Sequence, residues 1–170
     1  METINQVEKN NIKNDRLLGY LNLAYANYYI EVGFFDIALE KALESYKQLS
    51  AINDKKSLRL IRSTIAKIDR QNSNIDKAIN EYQKLIQELS TKNISIELGG
   101  YYLDIANAYM YLKDDNFKKA EKYLDLALIT FKELNNKTGE GMAYLKYARF
   151  YKLLLFKSGN NFFLKKQKIL

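Results

Sequence analysis

The sequence predicts an all-α protein built from repeated antiparallel helix hairpins, and three observations support that fold class. Small residues recur at a fixed interval, because Ala26, Ala66 and Ala106 lie 40 residues apart and Ala148 follows 42 residues later. Proline is absent, only 7 of the 170 residues are glycine and 47% are hydrophobic, which favours helices joined by short turns. Within each period the apolar residues recur at helical spacing, which is typical of a helical repeat architecture.

The first two repeats each contain two helical stripes separated by a break. Gly33 marks the break in the first repeat, and a polar run around Ser73 and Asn74 marks it in the second. The stripes are Leu21, Tyr25, Tyr29 and Val32, then Phe35, Ala38, Ala42 and Tyr46, and in the second repeat Leu58, Ile61, Ile65 and Ile68, then Ile75, Ala78, Tyr82, Leu85 and Leu89. Residues suited to helix N-caps are Asp15, Asp54, Ser73 or Asn74, and Asn116.

The third repeat follows the same pattern and the fourth only begins it. The third gives Tyr102, Ile105, Ala106 and Tyr109, then Phe117, Ala120, Leu124, Ala127 and Leu128, and the fourth opens with Tyr144, Tyr147, Ala148 and Tyr151. We therefore expect a polar tail at 1–14 and a single domain at 15–170, with repeats at about 16–52, 54–92, 95–135 and 138–170, the last incomplete. The two alanine series, the second being Ala38, Ala78 and Ala120, are expected to be packing positions where helices approach closely.

The end of the fourth repeat is too short for a full second helix. A turn is expected at Ser158 to Asn161, followed by the apolar Phe162, Phe163 and Leu164 and by a lysine-rich end. An open last repeat exposes the face intended for a neighbour. We expect this segment to fold back as a short capping helix that leaves some apolar surface exposed. A docking site, or a chain that is part of something larger, remains the alternative.

The composition excludes several kinds of chemistry. The chain has no His and no Cys, so thiolate nucleophiles, Ser-His-Asp triads and His/Cys metal sites are impossible. Asp114 and Asp115 fit a solvated turn better than a cation site, and Gly139-Glu140-Gly141 matches no phosphate-binding loop. We expect no enzyme activity, no metal and no cofactor. The polar tail lacks a signal-peptide core and the longest strongly apolar run, 153–156, is short, so a cytoplasmic location is predicted.

The repeat resembles the tetratricopeptide repeat (TPR). The first helices carry a large apolar residue, a small residue and then an aromatic residue, and the first turn is followed by an aromatic residue and an alanine. These matches are Tyr25-Ala26-Tyr29, Ile105-Ala106-Tyr109, Tyr147-Ala148-Tyr151 and Gly33-Phe35-Ala38. The second repeat departs from the pattern, since Asp69 stands where the aromatic residue belongs. The resemblance covers about residues 17–157, with a period longer than the family's ~34, and it implies a right-handed superhelical solenoid.

The resemblance also implies a concave groove lined by the first helices. The residue after each small residue faces that groove in the family, and flanking positions lie one turn away. The implied peptide-binding residues are Asn27, Lys67, Arg70, Leu103, Asn107, Leu145 and Arg149. Asparagine can both donate to and accept from a peptide backbone, and the basic residues suit a carboxylate.

The positive charge is confined to one end of the chain. Residues 1–140 hold 20 basic and 20 acidic side chains, whereas 141–170 hold seven basic residues and no acidic one, which gives the net charge of +7. The predicted basic C-terminal surface comprises Lys152, Lys157, Lys165, Lys166 and Lys168. An acidic protein partner is the favoured use of this charge. Self-association through this end, nucleic acid and an anionic membrane are the alternatives.

The sequence therefore predicts a non-catalytic protein-interaction module that holds a peptide or a helical segment in its groove. One alternative is a fragment of a peptide-sensing bacterial regulator or adaptor, which the long repeats resemble. Another is nucleic-acid binding through the basic C-terminal end, which would weaken steeply as salt rises.

Overall fold

The computed structural model describes residues 15–90, 94–112 and 116–167, and the predicted tail 1–14 lies outside them. These residues form α-helices and contain no strand, so the all-α class is confirmed for them. The helices are α1 (Asp15–Glu31), α2 (Phe35–Ala51), α3 (Lys55–Gln71), α4 (Ile75–Ser90), α5 (Ile96–Tyr111), α6 (Phe117–Glu133) and α7 (Lys137–Gln167).

The helices belong to two compact units, Met1–Lys77 and Ala78–Leu170, and the boundary falls in the first turn of α4. In the first unit, α1 packs on α2, α2 packs on α3, and α1 also meets α3. The second unit repeats this arrangement, with α5 on α6, α6 on α7, and α5 meeting α7. Each unit therefore contains a helix hairpin followed by the first helix of another hairpin, as the repeat pattern predicts.

Four of the helices end in the same way. Gly33, Asn53, Ser73 and Asn135 have positive φ angles of 83°, 53°, 66° and 52°, and each lies two residues beyond the end of a helix. In every case the next N–H reaches back to a carbonyl in the last turn of the helix, as when Phe34 donates to Tyr29 at 2.9 Å. This is the Schellman arrangement, which satisfies carbonyls that the helix leaves without partners. Breaks at Gly33 and around Ser73 and Asn74 were predicted from the sequence, and the predicted repeat bounds also separate 52 from 54 and 135 from 138.

Side-chain caps fix the starts of α3, α5 and α7, which are the first helices of their predicted repeats. Asp54, Ser95 and Asn136 each accept a hydrogen bond from the backbone N–H three residues later. The prediction of Asp54 as a cap is confirmed. Asn116 precedes α6 but makes no side-chain cap bond, and Ser73 is the positive-φ residue of the preceding turn instead of a cap.

The alanine series lie almost entirely in the buried interior of the helix packing. Ala26, Ala66, Ala106, Ala38, Ala78 and Ala120 are all 0% exposed. The prediction that these six residues are packing positions is confirmed. Ala148, the last member of the first series, is exposed on α7.

The prediction of a turn at 158–161, in the fourth repeat, is wrong. Helix α7 runs without interruption from Lys137 to Gln167, through the stretch 158–161 that was expected to reverse the chain. A single glycine costs a helix interior only about 1 kcal/mol relative to alanine, and no proline follows Gly159 to stop the helix. Residues 162–167 therefore extend α7 instead of folding back as a cap.

None of the helices in the described ranges has both the length and the apolar character needed to cross a membrane.

Candidate functional site

The predicted groove residues of the first unit lie on neighbouring first helices. Asn27 is exposed on α1, and Lys67 and Arg70 are half-buried on α3. The two helices that carry these residues, α1 and α3, are in contact within the first unit.

Two predicted groove residues of the second unit lie in the core. Leu103 is 2% exposed and Asn107 is 4% exposed, because α5 is covered by α6 and α7. The prediction that they contact a ligand in an open groove is therefore wrong. The carboxamide Oδ1 of Asn107 is buried and accepts no hydrogen bond from the described residues.

Arg149 is exposed and its orientation is fixed by a residue that the sequence analysis missed. Its guanidinium lies 5.1 Å from the ring centroid of Tyr111, and Nη2 donates a hydrogen bond to the Tyr111 hydroxyl. Tyr111 ends α5, so this contact joins α5 to α7. The aromatic face partly orders a charged side chain that remains accessible to an anion. No repeat position singled out Tyr111 in the sequence.

One side of α7 is apolar and exposed. We call this side the open face of α7 and define it by Tyr144, Leu145, Ala148, Tyr151, Lys152 and Leu155, all exposed. Each of these residues has another member of the set three or four positions away, so they lie on one stripe of the helix. Leu145 and Leu155 are each 70% exposed, which is high for leucine in a folded domain. Leu145, predicted as a groove residue, belongs to this stripe.

The predicted basic C-terminal surface is only partly described. Lys152 is exposed within the open face of α7. Lys157, Lys165 and Lys166 belong to the same helix, and Lys168 lies outside the described residues.

A polar cluster at the start of α3 links it to α1. The hydroxyls of Tyr20 and Ser57 donate to the Asp54 carboxylate at 2.8 and 2.9 Å, and the Ser57 N–H donates to it at 3.1 Å. The hydrogen bond from Tyr20, followed by those from Ser57, lowers the pKa of Asp54 below its usual value. The sequence indicated Asp54 as a cap but gave no sign of its partner on α1.

A second polar contact joins α6 to α7. The Tyr147 hydroxyl donates to the Asp125 carboxylate, and burial, followed by this hydrogen bond, raises the pKa of Tyr147. The phenol therefore stays protonated at neutral pH and serves as a donor between the helices. In the ranges 15–90, 94–112 and 116–167, no three or more acidic side chains converge as a metal site would require.

No protein-family model matches this sequence, and no curated protein matches it. The resemblance to TPR proteins therefore stays a prediction that depends on the repeat residues themselves.

Proposed function

We propose that the protein is a non-catalytic interaction module that binds an acidic peptide or helical segment along its first helices. The observation that carries the proposal is the side-by-side arrangement of first helices in each unit, α1 with α3 and α5 with α7. One pair presents Asn27, Lys67 and Arg70, and the other presents Arg149 next to Tyr111.

The chemistry of these side chains favours an extended acidic ligand. An asparagine carboxamide can donate to and accept from a peptide backbone at the same time. Lysine and arginine form charge-assisted hydrogen bonds with carboxylates, which are stronger than neutral ones. Because Tyr111 already orders Arg149, binding there costs less side-chain entropy than at a free arginine.

The long helical repeats support the same proposal, since repeat proteins of this kind commonly use extended surfaces for binding. A fragment of a peptide-sensing bacterial regulator is compatible with this proposal. A cytoplasmic location belongs to the proposal too, and its support is that the longest strongly apolar run, 153–156, is short.

The test is a peptide selection followed by charge reversal. We expect a random peptide library screened against the full chain to yield sequences enriched in Asp and Glu. Lys67→Glu and Arg149→Glu should each weaken the selected peptides by about tenfold, the size expected when a charged contact is reversed. Binding would be measured by isothermal titration calorimetry.

Matched controls separate local contacts from overall charge. Lys47→Glu on α2 and Lys118→Glu on α6 make the same charge change at exposed positions of second helices. These variants should bind within about twofold of the original chain. Equal losses for controls and groove variants, or selected peptides without acidic residues, would contradict the proposal.

A further inference from the structure

Three first helices of this chain share one sequence signature. A glycine is followed four residues later by leucine, seven residues later by alanine and ten residues later by tyrosine. The sets are Gly19, Leu23, Ala26 and Tyr29 in α1, Gly99, Leu103, Ala106 and Tyr109 in α5, and Gly141, Leu145, Ala148 and Tyr151 in α7.

In α1 and α5 the next helix covers this signature. A Cβ atom on Gly19 would lie 2.5 Å from Cγ of Leu49 in α2, and one on Gly99 would lie 2.7 Å from Cε1 of Phe131 in α6. The glycine thus makes room for a large apolar side chain near the end of the second helix. Leu23 and Leu103 are correspondingly 5% and 2% exposed.

The second helices α2 and α6 share a pattern of their own. Each has a phenylalanine, then an alanine after three residues, and a large apolar residue eleven residues after that alanine. The sets are Phe35, Ala38, Ala42, Ser45 and Leu49 in α2, and Phe117, Ala120, Leu124, Ala127 and Phe131 in α6. Except for the half-buried Phe35, all of these residues are buried.

In α7 the same signature is uncovered. Apart from Gly141, its chain neighbours and the adjacent backbone of α7, no heavy atom of the described residues lies within 4 Å of the place where a Cβ of Gly141 would stand. Leu145 is 70% exposed and Tyr151 is 49% exposed, whereas Tyr109, the tyrosine at the corresponding position of α5, is 7% exposed. Because α7 continues as a helix to Gln167, residues 152–167 do not turn back over this surface.

We propose that the open face of α7 binds a helix of a partner protein in the position that α2 and α6 occupy on α1 and α5. The partner helix runs antiparallel to α7. It places a leucine or phenylalanine against Gly141 and a small residue against Ala148, following the spacing shared by α2 and α6.

The charge of α7 defines the partner further. Lys152 stands where α5 has Met110, which is 4% exposed, and Arg149 is exposed beside it. Residues 141–170 contain no acidic side chain. A partner helix with Asp or Glu in its first turn therefore complements Lys152, as Asp36 lies in the first turn of α2. A second copy's α7 would bring like charges together on this face and is disfavoured.

The inference is separable from groove binding at α1 and α3, because its main contacts are with Gly141 and Ala148 on α7. The probe is a fluorescent peptide of residues 34–52 of this chain, which has the required pattern. A lactam bridge from Leu43→Glu to Lys47, both exposed in α2, keeps the isolated peptide helical. Binding to the full-length chain is followed by fluorescence anisotropy.

We expect saturable binding that Gly141→Leu weakens by at least about tenfold. Gly141 is exposed, so this substitution leaves the helix intact, and the circular dichroism spectrum checks that it does. Gly100→Leu on α5 is the matched control, since Gly100 also has open space at its Cβ position. Lys152→Glu should weaken binding by about tenfold, and a peptide carrying Leu49→Ala should bind more weakly than the original.

Several outcomes would overturn the inference. One is no binding at peptide concentrations up to about 1 mM. Another is binding that Gly141→Leu leaves unchanged, which would place the peptide elsewhere, for example on α1. A concentration-dependent dimer in sedimentation velocity that Gly141→Leu abolishes would identify a second copy as the occupant. The Lys67→Glu variant changes groove binding alone, so failure here is distinguishable from failure of the proposed groove.

Discussion

Helices α5 and α7 carry the same signature of glycine, leucine, alanine and tyrosine, yet their surroundings differ. Every residue of α5 from Ile105 to Met110 is buried. Helix α7 buries Gly139, Ala143 and Phe150 and exposes the stripe that carries Ala148. Both helices meet α6 and also meet each other, yet α7 leaves a stripe exposed where α5 is buried. The comparison shows that the next helix in a repeat, more than residue type, determines which side of a first helix becomes core.

Phe131 illustrates how the enclosed side is built. It is 2% exposed and lies over Gly99 of α5, and its ring also occupies the space beside Gly139 of α7. One aromatic side chain therefore fills the gap among three helices. The open face of α7 has no such side chain among the described residues. Substitutions in matched pairs can test this contrast.

The largest difference in stability loss is expected between alanine substitutions of two phenylalanines. Phe131→Ala should lower the free energy of unfolding by about 3–5 kcal/mol, because it removes a buried ring and leaves a cavity. Phe156→Ala, at a residue that is 71% exposed, should change it by less than about 0.5 kcal/mol. Urea unfolding followed by circular dichroism measures both. A large loss for Phe156→Ala would show that this end of α7 is covered in solution.

The second pair enlarges the two alanines of the shared signature. Ala106→Leu should destabilise the protein by about 1–3 kcal/mol, since the extra carbons must enter a closely packed interface. Ala148→Leu should be neutral within about 0.5 kcal/mol, because this position faces solvent. Thermal and urea unfolding give the two values. Equal destabilisation would contradict the difference in burial between α5 and α7.

The two substitutions of the third pair should change the free energy of unfolding in opposite directions. Gly141→Ala should stabilise the protein by about 0.5–1 kcal/mol, because alanine loses less entropy than glycine in a helix. Gly99→Ala should be destabilising despite the same gain in helix propensity, because its Cβ would lie 2.7 Å from the Phe131 ring. Free energies of unfolding measured at one temperature show whether Gly141→Ala stabilises the protein and Gly99→Ala destabilises it. A gain at both positions would mean that Phe131 moves aside without cost.

The smallest expected change in the free energy of unfolding is at the cap of α3, which can be compared with the cap of α7. Asp54 titrates and the corresponding Asn136 does not. Since the pKa of Asp54 is lower in the folded protein than its ordinary value of 3.8, its contribution to stability is present above that value. The contribution is lost as the pH falls through the lower folded-state value. Asp54→Asn retains a good cap and should be slightly less stable than the original at pH 7.

The stability difference between the original chain and Asp54→Asn should shrink as the pH falls from 5 to about 2. Tyr20→Phe removes the largest cause of the pKa shift and should reduce the same pH dependence. Thermal unfolding across this range is the measurement. A difference that does not change with pH would exclude titration of Asp54 as its source.

The hairpin pattern could be predicted because it depends on local features. A fixed period, helical spacing of apolar residues and small residues at close approaches are all readable along one chain. The burial of Ala26 and Ala106 follows from that pattern. The positive φ angles at Asn53, Ser73 and Asn135 were not predicted, because such a conformation leaves little trace in the sequence at residues other than glycine.

The candidate site was predicted less well than the fold. Counting along a helix places Leu103, Asn107 and Leu145 relative to Ala106 and Ala148, but it does not say which neighbouring helices cover each side. Leu103 and Asn107 are core residues, whereas Leu145 is exposed on a side of α7 that no described helix covers. Tyr111 was missed because its role depends on Arg149, which lies on another helix.

The uniform turns have a consequence for where chemistry can occur in this molecule. Between α1 and α2, α2 and α3, α3 and α4, and α6 and α7, only three residues separate one helix from the next. Each of these links is committed to ending one helix and starting another, with its backbone groups engaged in doing so. Such links cannot support the recognition loops that many binding proteins vary. Near these four links, changes of binding specificity must therefore come from side chains on the helices, at positions spaced by one helical turn.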